Sequence, residues 1–191
     1  MVDYIRAEVY KVTHRKYLWG FLLIVGGLEA LLVCMWAWMN GDMTNMSAST
    51  GFIMVLYLLT MGYYASAITT DMVFSDQYKF NTLKNEVAYG IPRARIYLGK
   101  LAVGCLVSLA SCVVILLWYG ILCRVLLPGD GAWLEALKCV GFALLAALPV
   151  WLGAQALFYM CFFLLKSSTA ASLIAVGVVA LMGQIIALLA L

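Results

Sequence analysis

Leu101–Cys123, LAVGCLVSLASCVVILLWYGILC, runs for 23 residues without one charged side chain. A helix rises 1.5 Å per residue, so this run spans the roughly 30 Å of a bilayer's hydrocarbon with length to spare. Apolar runs of similar length occupy residues 18–39, 51–71, 139–165 and 170–191. Each meets the need for roughly 20 residues per crossing. A mean hydropathy of +1.02 with 11% charged residues leaves more apolar surface than a water-soluble globule could hide. The expected fold class is therefore all-α, a polytopic transmembrane helix bundle with about five spanning helices in one domain over residues 1–191.

The polar segments set its orientation. Asp76–Leu101, DQYKFNTLKNEVAYGIPRARIYLGKL, holds five of the twelve Lys and Arg residues. Four more, Arg6, Lys11, Arg15 and Lys16, lie in or beside the N-terminal arm, and Lys166 precedes the last apolar run. Only Arg124 and Lys138 fall on the other side, so the count is ten against two. By the positive-inside rule the N-terminus and the 76–101 segment face the cytoplasm of a cell-membrane protein. The first apolar run is too long for a signal peptide and lacks a small-residue cleavage pattern, so it reads as a retained helix. The net charge of +3 is accounted for by flanks facing anionic lipid, and no nucleic-acid partner is inferred.

Residues 1–17 place Val2, Ile5, Val9 and Val12 at helical spacing and predict an amphipathic helix on the membrane surface. Between the second and third apolar runs, Phe80, Leu83 and Val87 form a second stripe, with Lys79, Lys84 and Glu86 pointing away. Gly90 suits a left-handed helix stop, and Pro92 can open the next helix. A short amphipathic cytoplasmic helix over 75–89 is expected. The loops NGDMTNMSAST and LPGDGAW are polar, turn-forming and too short for an ectodomain.

Chemistry within the chain is sparse. GxxxxGK[ST] is absent, so nucleotide hydrolysis has no home here. The only His, His14, lies in the arm, and six scattered cysteines without CxxC predict packing rather than a metal site, although Cys123 and Cys139 flank one loop and could pair. Glu29 is the one ionisable residue deep in a span. Its insertion cost, about 2.5 to 3.5 kcal/mol for a charged residue at a helix centre, is offset by the ten Leu, Ile, Val and Phe residues of the same run. Two readings stay open: it meets cationic cargo or a partner subunit, or it is protonated or hydrogen-bonded to Gln155 or Gln184. Gln155 and Gln184 read as interhelical glue or as part of a substrate path, and Gly104, Ser108 and Cys112 as a small-residue seam. Asp71 reads as a helix-end residue, and Pro149 predicts a kink.

TLKNEVAYGIPRARIYLGKL resembles the segment between the second and third spans of type-2 ATP-binding cassette (ABC) permeases. Thr82, Leu83, Lys84, Asn85, Pro92, Arg93, Lys100 and Leu101 carry the likeness, and the arm and order of spans extend it over the chain. Asn81 stands where that family usually has Gly, and Asp76 with Gln77 where it has an acid. Its members typically have six spans, so the five here, ending at Leu191, suggest a missing sixth. The resemblance implies a permease subunit that pairs with a second one, as homo- or heterodimer, and is driven by a dimer of separate ABC ATPases carrying ATP and Mg. No cofactor is expected in this chain. The ATPase would dock on the 75–89 helix through Phe80, Leu83, Lys84, Glu86 and Arg93. Small members of this kind export antimicrobial peptides or lantibiotics, which gives the expected cargo. The alternative is a non-transporting membrane scaffold or regulator that recruits a soluble partner with the same helix.

Overall fold

The computed structural model describes residues 2–40, 45–80, 88, 90, 92–165 and 167–189. Among them the chain is helical throughout, without strands: α1 (Val2–Thr13), α2 (Lys16–Met39), α3 (Ala48–Ile53), a 3₁₀ turn (Met54–Leu58), α4 (Leu59–Phe80), α5 (Arg93–Leu126), α6 (Trp133–Leu164) and α7 (Ser168–Leu189). Helix is the form that satisfies every backbone N–H and C=O within its own segment, as hydrocarbon demands.

Three of these helices, α2, α5 and α6, are long and apolar enough to cross a membrane, and Ala48–Leu58 with Met61–Phe74 makes a fourth if taken as one broken span. The 51–71 run is thus interrupted by 3₁₀ geometry rather than helical from end to end. In α7, Thr169–Leu181 is the described apolar stretch. The protein is an all-α polytopic membrane bundle.

Local sequence explains the ends. Gly90 has φ +81°, the left-handed value its missing Cβ allows, and Pro92 accepts the first turn of α5 from Arg95 N at 2.9 Å. Ser47 caps α3 by accepting Thr50 N at 3.3 Å. Asn40 closes its loop with two bonds to the Met46 backbone, donating to the carbonyl at 2.9 Å and accepting from N–H at 2.8 Å. Pro149 lies inside α6, which continues through it to Leu164.

The chain divides into two compact units. The first comprises Met1–Arg15, Met61–Ser108 and Pro149–Leu191, and the second Lys16–Thr60 and Leu109–Leu148. In the first, Phe74, Ile96, Val103, Phe158, Tyr159 and Phe162 are buried. Phe74 meets Tyr159 edge-on at 5.4 Å, and Tyr97 Oη donates to Ala156 O at 3.0 Å, fastening α5 to α6. Gly104 is the close approach the seam predicts, since a Cβ there would overlap the Tyr159 ring and hydroxyl.

The second unit is built around Val33, Ala48, Phe52, Tyr119, Cys123, Leu127, Ala136 and Val140. Phe52 sits 5.0 Å from the Trp133 ring, and Tyr119 Oη donates to Gly51 O at 2.6 Å. Asp130 accepts from Ser47 at 2.6 Å and from Ser49. Those hydroxyls hold its carboxyl below the usual range and join the α5–α6 loop to the start of α3. Cys123 and Cys139 are free thiols, as are the other four cysteines.

Candidate functional site

Of the valine stripe predicted for α1, Val12 is buried and Ile5 and Val9 are half-buried. Glu8 is buried one turn before Val12, and Tyr4, half-buried, stands one turn before Glu8 on the same helix face. Val12 and Glu8 are 1% and 3% exposed, and Lys100, seven residues into α5, is 0% exposed. Lys100 Nζ donates to Glu8 Oε2 at 3.2 Å, while Lys11 Nζ takes the other carboxylate oxygen at 2.6 Å. Two rings flank the buried ammonium, Tyr4 at 5.7 Å and Phe74 at 6.0 Å. Gly99 makes room for Tyr4, because a Cβ there would come within 2.6 Å of its ring.

Burial pushes the Glu8 carboxyl up, but the charges and hydrogen bonds of Lys100 and Lys11 outweigh it and hold the group below its ordinary value. Glu8 is thus ionised at neutral pH. A further bond runs from the Arg15 guanidinium to the Met72 carbonyl of α4. α1 is therefore tied to α4 through Arg15 and to α5 through Glu8. Those are the two helices that bracket residues 81–92, the stretch in which sequence reading expects the partner contact.

The predicted contact residues fall as follows. Phe80 is the last residue of α4, its side chain outside the described residues, and Leu83, Lys84 and Glu86 also lie outside them. Residues 75–80, expected to begin a separate short helix, continue α4 instead, as nothing between Leu59 and Phe80 breaks the helix. Arg93 is exposed at the start of α5, with Arg95 beside it. Two cations at the positive end of a helix dipole disfavour the helix slightly.

The intramembrane candidates separate. Gln155, fully buried in the first unit, donates to Thr69 Oγ1 at 3.4 Å and to Ser108 Oγ at 3.5 Å. The Thr69 hydroxyl passes its own proton to Ser66 O at 3.1 Å, which leaves its oxygen able to accept from Gln155. α4, α5 and α6 thus share a polar layer, and within it Ser66 Oγ, Gln155 Oε1 and Tyr159 Oη have no hydrogen-bond partner among the described residues. Glu29 is half-buried in the second unit, with Oε2 likewise unpartnered among the described residues. The Gln184 side chain lies outside the described residues.

Sequence reading missed the Glu8–Lys100 pair. Its signal was an acid at i, flanked at i±4 by Tyr4 and Val12, together with one Lys set against the charge-free run. No group of His, Cys, Asp and Glu among the described residues could hold a metal ion.

Long apolar helices, a buried polar layer and an ion-paired N-terminal helix define a polytopic membrane protein. A family model for ABC-2 family transporter proteins matches residues 4–186, and the chain belongs to that family. It is the permease subunit of an ABC transporter, a membrane transport component that is not itself catalytic. No curated protein and no solved structure matches the chain.

Proposed function

We propose that this permease is an exporter of membrane-active peptides in the cytoplasmic membrane, paired with a second permease subunit and driven by an ATPase dimer that binds ATP and Mg. The ATPase docks from the cytoplasm on residues 75–89, with Phe80 and Leu83 as apolar anchors and Lys84, Glu86 and Arg93 as polar contacts. The supporting observation is the double attachment of α1 to Met72 and Lys100, on the two helices that bracket this segment. A push delivered there reaches α4, α5 and α1 together instead of dissipating in one helix. Cationic peptide cargo finds a counter-charge in Glu29, whose Oε2 is uncommitted among the described residues.

Leu83→Asp tests the docking. The variant is expected to insert normally and to lose ATPase co-purification and cargo-stimulated hydrolysis by at least about tenfold, since an aspartate replaces an apolar anchor at the centre of the contact. Unchanged co-purification overturns the docking site. ATPase binding without any peptide resistance in cells carrying the wild type favours the scaffold reading over export. In the same resistance assay Glu29→Gln is expected to lower protection, and full protection removes Glu29 from the cargo path.

A further inference from the structure

In the second unit, the latter half of α5 and the first half of α6 leave a groove of about 460 Å³ between them. Two facing rows line it, Val113, Leu117 and Ile121 from α5 and Leu137, Gly141 and Leu144 from α6, and most of these apolar side chains are exposed. One lining residue is charged. Arg124, in the last turn of α5, lies with its guanidinium 5.8 Å from the centre of the Trp133 ring at the groove's end.

Among the described residues no carboxylate pairs with Arg124. The nearest acid in sequence, Asp130, is engaged by Ser47 and Ser49. The groove thus joins an apolar channel to a cation whose only described partner is an aromatic face. Trp and Arg side by side at the end of an apolar helix mark headgroup depth.

We infer that this groove is a binding site for an anionic phospholipid, with one acyl chain lying between α5 and α6 and the headgroup phosphate on Arg124. The volume lies within the range of small-molecule sites. The charge favours a net anion over a zwitterion. Gly141 keeps the groove open from the α6 side, because a Cβ built there meets nothing within 4 Å. A larger side chain at Gly141 would therefore fill the groove without striking the protein. The site stands independently of what the transporter carries.

The test is native mass spectrometry of the full-length protein in mild detergent, exposed to equal amounts of phosphatidylglycerol and phosphatidylcholine. The wild type is expected to retain phosphatidylglycerol preferentially. Arg124→Gln is expected to lower that preference roughly fivefold, the effect of one cation near a membrane surface, and Arg124→Lys to keep most of it. Gly141→Leu is expected to lose the retained lipid while melting like the wild type. The proposal is overturned by equal retention of the two lipids, by an unchanged preference in Arg124→Gln, or by undiminished lipid in Gly141→Leu. A lipid-free dimer of the wild type overturns it too, since a second copy of the chain would then cover the groove.

Discussion

Replacing Glu8 with Ala is expected to destabilise the protein by about 3 to 5 kcal/mol, the cost of breaking a buried ion pair by removing one member. Lys100 has no access to solvent, and Glu8 is a carboxylate bonded to it among the described residues. The loss should appear as a large fall in the melting temperature of the purified protein and as release of α1 to proteolysis. Glu8→Ala combined with Lys100→Met should recover most of the stability, because an apolar pair of similar volume often serves as well as a buried ion pair. A mild phenotype in Glu8→Ala alone would mean that Lys100 reaches solvent or another anion.

The pH dependence of the same pair has a definite sign. The folded-state Glu8 carboxyl sits below its unfolded value, so its contribution is complete above the unfolded value and disappears as pH falls through the folded one. Acid should therefore weaken the wild type more than the Glu8→Ala, Lys100→Met protein.

Gly104→Leu is expected to have the second-largest effect. The first atom of any side chain at this position would overlap Tyr159, which is fully buried and packed against Phe74. Overpacking of a rigid core costs about 1 to 3 kcal/mol and more where the ring has nowhere to move. Thermal unfolding should show the loss, and Gly104→Leu with Tyr159→Ala should regain part of it, since the two positions share one contact. An unchanged melting temperature in the single variant would show that α5 and α6 do not approach this closely.

The helical class, the long apolar segments, the Gly90–Pro92 break and the close approach at Gly104 were legible because each follows from a local rule: hydropathy, backbone freedom or the lack of a Cβ. Gln155 was also legible, since an amide in apolar surroundings has to find partners. The burial of Glu8 on the inner face of α1 was not. Hydrophobic periodicity weighs Val2, Ile5 and Val9 and discounts a glutamate, whereas the fold buries Glu8 because Lys100 waits opposite, 92 residues away in sequence. Pairing across that distance leaves no trace in a local window. The Arg124–Trp133 contact was hidden for a similar reason, as a loop must first fold the two helices together. The 3₁₀ stretch in the second apolar run carries no Pro or Gly to announce it.

An ATPase can push on α4 and α5 through residues 75–89 only where that segment faces the cytoplasm. The most direct measurement inserts a protease-recognition site beside Lys84 and exposes it from each side of the membrane. Cleavage in inside-out vesicles, with protection in intact spheroplasts, is the result this account predicts. Cleavage in spheroplasts with protection in inside-out vesicles would contradict it, because no cytoplasmic motor could then reach the segment.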